Sequence, residues 1–337
     1  MPTEKHRILV IGVGSIGERH LRCFQQTGRA GVAICEINHD LREQVADRYE
    51  IQDAYADLDA ALESEFDAAV IAVPAHLHVP FALQLAEARL HMLIEKPLST
   101  SLDGIPVLAT MVRDRDLVVS VAYVHRANPA LAAMRQAILA GRFGKPVQLI
   151  VACGQHFPTY RPAYREIYYT DRATGGGAVQ DALTHMLNAA EWLIGPVDSL
   201  AADADHKVLE GVTVEDTVHV MARHGSAMAS YSLNQHQAPN ETTMTMVCDR
   251  GTARFEIHRS RWSWMTEPGA EWTHEDHEVP ERDTLFIRQA GAFLDALEGK
   301  AQPACTLEEG IQTLRVNRDI LKCIDNSNLL QPVKRPR

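Results

Sequence analysis

The sequence contains no paired cysteine motif and no long apolar run near its start. None of its six cysteines forms a C-x-x-C pair, the spacing on which zinc ribbons and thioredoxin-like redox sites depend. The first apolar stretch ends at Gly12, which makes it too short for a signal peptide or a membrane span. We therefore expect a cytoplasmic protein with reduced thiols and no membrane partner.

Positive charge is also scarce. The chain has 33 Lys and Arg residues against 44 Asp and Glu residues, which gives a formal net charge of −11. This balance disfavours nucleic acids and anionic membrane surfaces as partners. Two closely spaced histidine pairs, His76 with His78 and His274 with His277, lack the spacing of a zinc pair carried on one helix. We therefore expect no metal site.

The chain does contain enough apolar sequence for two cores. It has 337 residues, of which 46% are hydrophobic, and chains of this length commonly form more than one domain. In the first third, short apolar runs alternate with amphipathic helical patterns, which is typical of βαβ units and a parallel sheet. The predicted strands are Ile8–Ile11, Val32–Ile37, Ala68–Val73, His91–Glu95 and Leu117–Ala122.

After Tyr123 the pattern changes. A helix is predicted before a strand at Pro146–Cys153, and another helix covers Ala178–Leu193. The following segment alternates as consecutive antiparallel strands do, and two helices close the chain. The sequence therefore predicts an α/β fold: an N-terminal Rossmann domain with a doubly wound parallel sheet, residues 1–123, and a C-terminal α+β domain with an open, mostly antiparallel sheet, residues 124–337.

A glycine motif separates the first predicted strand from the first predicted helix. Gly12-x-Gly14-x-x-Gly17 has the spacing of a dinucleotide-binding loop. In such a loop Gly12 permits the tight turn, Gly14 admits the pyrophosphate, and Gly17 allows close packing. The N–H groups of Ser15 and Ile16 open the helix towards the phosphates. The alternative is a close helix–strand contact that needs no ligand.

One acid indicates which dinucleotide would bind. Glu36 ends the second predicted strand at the expected offset of about 20 residues, where a carboxylate accepts from the ribose 2′-hydroxyl. A carboxylate repels a 2′-phosphate, so the sequence favours NAD over NADP. Arg19 and Arg42 keep NADP open as the less favoured alternative.

The ends of two further strands supply more candidates for cofactor binding. Val73, Pro74 and His78 follow one predicted strand, and Glu95 and Lys96 end the other. Ligands of open α/β sheets bind at the carboxyl ends of the strands, so these five residues are candidates to contact the dinucleotide. The amine of Lys96 could also act as a donor, an acid or a base on a substrate.

A second chemical segment follows the triple glycine at residues 175–177. Asp181 and His185 lie four residues apart in a predicted helix and so share a face. A carboxylate beside an imidazole raises the imidazole pKa and fixes its orientation, which suits a group that takes and returns a proton. A surface ion pair of the same spacing is the alternative.

An aromatic and arginine-rich stretch between these motifs is a candidate substrate wall. Tyrosine rings stack on sugar rings, and arginines bind hydroxyl, carboxylate or phosphate groups. We expect Arg161, Tyr164 and Arg165 in or beside the substrate pocket. The alternative is a loop that packs against a neighbouring subunit.

Together, the glycine loop, Glu95-Lys96-Pro97 and the triple glycine with Asp181-x-x-x-His185 resemble the glucose–fructose oxidoreductase / inositol dehydrogenase / rhizopine catabolism protein (Gfo/Idh/MocA) family. The resemblance covers nearly the whole chain. It implies redox chemistry of a pyridine nucleotide on a hydroxyl carbon of a sugar, polyol or sugar acid. It also implies a homodimer or homotetramer formed through the open sheet.

The resemblance further implies roles for single residues. Lys96 would contact substrate and the nicotinamide ribose, and His185 would be the acid–base group at the substrate hydroxyl, with Asp181 beside it. Two residues depart from the family pattern. Asn188 stands where many members have an acid, and Ala75 where many have Asn or Thr. Asn188 can still form hydrogen bonds but carries no charge, so neither the tuning of the histidine nor the substrate preference follows from the resemblance.

Two other functions stay open at this point. The first is a relative that uses bound NAD transiently, in glycoside cleavage or lyase chemistry. The second is a non-catalytic NAD-binding regulator.

Overall fold

The computed structural model describes residues 5–326, and their contacts form two compact units. The first unit combines the residues up to Asn128 with Pro280–Leu314, and the second combines Pro129–Val279 with the residues from Arg315. This division differs from the predicted domains 1–123 and 124–337. The reason is that the chain returns to the first unit after it has built the second sheet.

In the first unit, strands and helices alternate along the chain. They are β1 (His6–Ile11), α1 (Ser15–Gln26), β2 (Ala30–Cys35), α2 (His39–Tyr49), β3 (Ala54–Tyr55), α3 (Leu58–Leu62), β4 (Ala68–Ile71), α4 (His78–Glu87), β5 (His91–Ile94), α5 (Ile105–Asp114) and β6 (Val119–Val121). Short 3₁₀ turns at Ala75–Leu77 and Val124–Ala127 follow β4 and β6.

The six strands form one parallel sheet in the order β3-β2-β1-β4-β5-β6. This confirms the predicted Rossmann sheet. The direction of strand order reverses between β1 and β4, and such a switch point is where doubly wound sheets bind their ligands. The loops that follow β1 and β4 therefore flank the expected crevice.

Both faces of this sheet are covered, which explains why its strands are continuously apolar. Along β1, Ile8 and Val10 belong to the hydrophobic cluster on one face, and Leu9 and Ile11 belong to the cluster on the other. Side chains alternate across a strand, so a strand buried on both faces needs apolar residues at every position.

The second unit begins with helices and continues into a large sheet. Its elements are α6 (Pro129–Leu139), β7 (Pro146–Gly154), α7 (Phe157–Tyr160), α8 (Thr184–Ile194), β8 (Ser199–Asp205), β9 (Thr217–His224), β10 (Ala227–Asn234), β11 (Glu241–Cys248), β12 (Gly251–Glu256), β13 (Arg261–Met265) and β14 (Thr273–Asp276). The chain then forms α9 (Thr284–Leu297) in the first unit and α10 (Leu307–Asp325).

The sheet of the second unit has the order β14-β13-β12-β11-β7-β10-β9-β8. Its neighbours are antiparallel except for β7 and β10, which run parallel. One face packs on α6 and α8, where Leu131, Leu187 and Tyr231 join a single core. The predicted α+β architecture with a mostly antiparallel sheet is confirmed.

Helix α9 belongs to the first unit because it packs on α1. The rings of Phe24 and Phe293 meet edge to face with centroids 6.2 Å apart, and Arg22 binds both carboxylate oxygens of Asp283. Periodicity predicts α9 as a helix but does not indicate which core its apolar stripe joins.

The cysteines that the structure describes are free thiols. Burial raises the pKa of Cys23, Cys35 and Cys248 to about 11, so these thiols stay protonated near neutral pH. Within residues 5–326, no helix has the length and apolar character to cross a membrane.

Replacing Phe293 should show how much the returning helix stabilises the protein. Phe293 is almost fully buried, so Phe293→Ala leaves a cavity beside Phe24, and we expect the free energy of unfolding to fall by about 3 kcal/mol or more. Urea unfolding followed by circular dichroism measures this loss. Val279→Ala, at an exposed position, is the matched control with an expected change below about 0.5 kcal/mol. Equal stability of both variants would contradict the packing of α9 on α1.

Candidate active site

The glycine loop after β1 has the geometry of a tight turn against the first helix. Gly12 has a φ of +80°, which favours glycine, and a Cβ at Gly17 would lie 1.8 Å from the carbonyl oxygen of Gly12. Only a hydrogen fits in that space. The helix therefore packs closely on the loop at Gly17, as the glycine spacing predicts.

The start of α1 is open towards a ligand. Gly14 is the N-cap residue, and it offers no side chain to the first N–H groups of the helix. A Cβ on Gly14 would meet nothing within 4 Å, so there is room above the first turn at Ser15 and Ile16. Unsatisfied N–H groups and the helix dipole favour an anion there. The loop thus fits the pyrophosphate of a dinucleotide.

Glu36 follows β2 directly and supports this loop. Its carboxylate accepts hydrogen bonds from the backbone N–H of Val13 at 3.0 Å and from that of Asn38 at 2.9 Å. A carboxylate has about four acceptor sites, so these two bonds leave capacity for a ribose hydroxyl. Arg42 donates to the backbone carbonyl of Glu36 at 2.7 Å.

The residues after β4 form the other wall of the switch point. A Cβ at Gly12 would lie 3.1 Å from Cγ1 of Val73, and Pro74 is exposed beside it. His78 differs from its predicted role as a cofactor contact because it is buried. Its ring nitrogens lie 2.7 Å from the carbonyl oxygen of Val73 and 2.9 Å from that of Pro97. Burial lowers the pKa of His78, so its neutral ring has one N–H and donates to one of these two carbonyl groups at a time.

Lys96 follows β5, the next strand of the sheet, and is half-buried. The preceding Glu95 is buried, and its carboxylate accepts from the backbone N–H of Lys96 at 3.0 Å. The second carboxylate oxygen accepts from the ring of His20 at 2.6 Å. Glu95 differs from its predicted role as a cofactor contact because it is only 6% exposed.

A further histidine lies near Lys96 in the first unit. His125 belongs to the 3₁₀ turn after β6, the strand that pairs with β5. Burial, with a smaller contribution from the positive charge of Lys96, lowers the pKa of His125 to about 4. His125 is therefore a neutral imidazole at physiological pH, able to donate or accept a hydrogen bond.

In the second unit, Asp181 and His185 occupy different kinds of helix. Asp181 lies in a π-helical turn, Val179–Leu183, and His185 lies in the first turn of α8. Such turns are rare and occur often at functional sites. Asp181 is buried, and the hydroxyl of Tyr168 donates to its Oδ1 at 2.7 Å. Asn188 is buried one turn after His185 on α8.

Another acid anchors the helical segment that carries Asp181. Glu215 is buried, and its carboxylate accepts from the backbone N–H of Val179 at 3.1 Å and from Nε of Arg172 at 2.7 Å. Its backbone carbonyl accepts from the N–H of Ala178 at 2.9 Å. A carboxylate at the start of a helix is favourable because the helix dipole is positive there.

The three predicted substrate residues have different environments. Tyr164 is 1% exposed and packs with Phe157 and Tyr169 in a small separate cluster. A ring buried in this way offers no face to a sugar, which differs from its predicted role. Arg165 is exposed and donates from Nε to the carbonyl oxygen of Glu210 at 2.9 Å. Arg161 is exposed and stays a candidate.

Residue patterns alone did not identify His20, His125, Tyr168 and Glu215. His20 lies one turn after Gly17 on the face of α1 that packs on the sheet, so its position was a usable signal. Tyr168 lies within the aromatic stretch that the sequence singles out. Nothing local distinguishes Glu215, because it acts on a helix 36 residues away in the sequence.

Among residues 5–326, no cluster of three or more His, Cys, Asp or Glu side chains could hold a metal ion.

Comparison with known families identifies both units. A model described as an oxidoreductase family with an NAD-binding Rossmann fold matches residues 6–123, and the Gfo/Idh/MocA C-terminal domain matches residues 131–254. The chain belongs to the Gfo/Idh/MocA family. The first unit is accordingly an NAD-binding Rossmann domain, which confirms NAD as the predicted cofactor.

Similar proteins of this family act on polyhydroxylated rings. Levoglucosan dehydrogenase of Pseudarthrobacter phenanthrenivorans is 26% identical over 252 residues, which cover 67% of this chain and 65% of that protein. An inositol 2-dehydrogenase/D-chiro-inositol 3-dehydrogenase of Shouchella clausii is 29% identical over 194 residues, or 56% of this chain and 53% of that protein. The chain thus matches roughly half to two-thirds of these relatives' lengths.

Similarity of fold extends further than similarity of sequence. A structure of levoglucosan dehydrogenase in complex with NADH and levoglucosan superimposes with a TM-score of 0.87 at 20% identity, covering 96% of this chain and 98% of that chain. The two chains therefore share their fold over almost their whole length.

The low pKa of His125 predicts an effect of acid on stability. The ordinary pKa of 6.5 falls to about 4 in the folded protein, so between these values the unfolded chain binds more protons and stability decreases as the pH falls. From pH 7.5 to 5 we expect His125 to contribute a loss of at most about 2 kcal/mol. Urea unfolding at both pH values, for the natural protein and for His125→Gln, measures this share. An identical pH dependence of the two proteins would contradict it.

Proposed function

We propose that the protein is an NAD-dependent dehydrogenase that oxidises a hydroxyl carbon of a sugar, polyol or sugar acid, or catalyses the reverse reduction. The observation that carries the proposal is Lys96, an amine at the carboxyl end of β5 in an NAD-binding sheet. Its backbone is held by Glu95. A lysine in this position is suited to bind the oxygen of a substrate whose carbon exchanges hydride with the cofactor.

The roles of the residues follow from their chemistry. When bound, NAD supplies a hydride acceptor at nicotinamide C4, so the alcohol loses a hydride and a proton and becomes a carbonyl. Lys96 donates a hydrogen bond to the substrate oxygen, and His185 accepts the hydroxyl proton. Asp181 stabilises the resulting imidazolium. Tyr168 holds Asp181 through its hydroxyl.

Two features support a polyhydroxylated substrate. The relatives of this chain include dehydrogenases of levoglucosan and of inositol, both compact rings with several hydroxyls. The loop that carries Arg161 and Tyr168 exposes the guanidinium of Arg161, a donor that suits such hydroxyls. The Tyr168 hydroxyl donates to Asp181 and can still accept a hydrogen bond from a substrate hydroxyl. We propose that these two residues, rather than the buried Tyr164, contribute to substrate binding.

Replacing the two proposed catalytic residues should reduce turnover much more than cofactor affinity. We expect Lys96→Met and His185→Asn each to lower kcat by ~10²–10⁴-fold, because each loses a group that acts on the reacting hydroxyl. A screen of sugars, polyols and sugar acids for reduction of NAD identifies the substrate, and fluorescence titration of NADH measures the affinity. His39→Asn and Lys300→Met, at exposed positions, are matched controls. Full turnover in Lys96→Met or His185→Asn would refute the assigned roles.

The same screen separates the two other functions. A protein that uses NAD transiently would form product without a net change in nicotinamide absorbance. A non-catalytic regulator would bind NADH and form no product. Either result would replace the dehydrogenase assignment while the fold and the cofactor stand.

We also propose that the protein forms a homodimer or homotetramer through the outer face of the second sheet. Ser230 on β10 lies between Ile150 on β7 and Met221 on β9, each directly opposite it. Met228 is two residues from Ser230 on the same face of β10. Met221 and Met228 are 69% and 54% exposed. Large apolar side chains together on one sheet face commonly mark a protein interface.

Charges on this outer face should separate the subunits. We expect the double variant Met221→Glu, Met228→Glu to reduce the mass measured by light scattering to that of one chain, because an interface would bury these carboxylates without partners. Val279→Glu, at an exposed position outside the sheet, is the control and should keep the natural mass. An unchanged mass for the double variant would place the interface elsewhere.

Cytoplasmic location stays a prediction.

A further inference from the structure

The backbone of Lys96 is held by buried side chains. These side chains take no part in the proposed reaction. Glu95 is 6% exposed. Its Oε2 accepts from the backbone N–H of Lys96 at 3.0 Å, and its Oε1 accepts from Nε2 of His20 at 2.6 Å. The second distance is short, as is typical of a charge-assisted hydrogen bond. Glu95 thus links the lysine directly to helix α1.

His20 is placed so that it joins the cofactor loop to the lysine. It lies on α1, one turn after Gly17, and is fully buried. Its ring packs edge to face on Phe286 with centroids 5.7 Å apart. The helix that opens at the dinucleotide loop therefore also holds the carboxylate beside Lys96.

Glu95 remains ionised although it is buried. Burial disfavours the charged form, but the hydrogen bond and charge of His20, with the charge and N–H of Lys96, outweigh that effect and hold the pKa of Glu95 below its ordinary value. A buried carboxylate that lost its partner would be strongly destabilised, and it would move or take up a proton. The hydrogen bond to the Lys96 N–H thus depends on His20.

The other side of Lys96 is fastened separately. The carbonyl oxygen of Pro97 lies 2.9 Å from Nδ1 of His78, and the second ring nitrogen lies 2.7 Å from the carbonyl oxygen of Val73. The neutral ring of His78 donates to one of these two carbonyl groups at a time, and it is buried against the backbone that follows the lysine. A lysine side chain is long and flexible, so a fixed backbone narrows the positions that its amine can reach.

We propose that Glu95 and His20 are positioning residues for Lys96. Glu95 fixes the Lys96 backbone, and His20 holds the Glu95 carboxylate against the helix that opens at the NAD loop. Neither residue touches substrate. The effect on turnover rests on the proposed function, whereas the positioning itself can be measured without any substrate.

Two substitutions of His20 separate the hydrogen bond from the packing. His20→Phe keeps an aromatic ring against Phe286 but removes the donor to Glu95, and His20→Gln keeps a donor. We expect His20→Phe to lower kcat by about 10²-fold with a change in NADH affinity of less than about threefold, because a small displacement of a reacting group is costly. His20→Gln should recover most of the lost kcat. Equal kcat in both variants, or equal losses of kcat and NADH affinity, would overturn the proposal.

A second measurement works in the absence of any reaction. The N–H of Lys96 is protected by Glu95, so amide hydrogen exchange of Lys96, followed by NMR, should be at least about tenfold faster in His20→Phe than in the natural protein, and close to the natural rate in His20→Gln. Unchanged exchange in His20→Phe overturns the positioning role even where the enzyme is active. Faster exchange together with a failed substrate screen keeps the positioning and rejects only the proposed function.

A second pair of variants applies if His20→Phe does not fold. Glu95→Gln keeps an acceptor for the Lys96 N–H, and Glu95→Ala removes it. We expect faster Lys96 exchange and a larger loss of kcat in Glu95→Ala than in Glu95→Gln. Equal exchange rates in these two variants would overturn the proposal.

Discussion

The close approach of Gly17 to Gly12 determines both the space for the cofactor at the start of α1 and the position of His20 beside Glu95. Because a Cβ at Gly17 would lie 1.8 Å from the Gly12 carbonyl oxygen, α1 can leave the loop along this path only with glycine there. The path leaves the first turn of α1 open for the pyrophosphate. One turn later it brings His20 to Glu95 at the end of β5. The space for the cofactor and the position of the Lys96 backbone thus depend on the same contact between α1 and the loop after β1.

Carboxylates that accept backbone N–H groups recur in both units: Glu36 is half-buried, and Glu95 and Glu215 are buried. Glu36 accepts from Val13 beside the glycine loop, Glu95 accepts from Lys96, and Glu215 accepts from Val179 at the start of the segment that carries Asp181. Hydrogen bonds to a charged acceptor are stronger than neutral ones, and a buried charge without a partner is very unfavourable. Each of these acids therefore fixes a loop or helix start that bears functional groups.

The sequence predicts features with local signals and misses those that depend on distant partners. The glycine spacing and the continuous apolar strands predict the Rossmann sheet and NAD, because both are written in a few neighbouring residues. The return of α9 to α1 depends on a ring contact between Phe24 and Phe293, which no periodicity encodes. His20 lies on the predicted sheet-facing side of its helix, but Glu95, its partner, is 75 residues away. The π-helical turn at Asp181 likewise has no sequence pattern that separates it from an α-helix.

The aromatic stretch packs separately from the sheet of the second unit. Phe157, Tyr164 and Tyr169 pack in a small cluster with residues near Leu209, separate from the main core of the second unit. Tyr168, next to the buried Tyr169, instead reaches Asp181 with its hydroxyl. The loop thus has its own packing, and Tyr168 joins it to the helical turn that carries Asp181. Substitutions at its exposed positions, such as Arg161, would leave the packing of both sheets undisturbed, and loops of this kind commonly carry the residues that select a ligand.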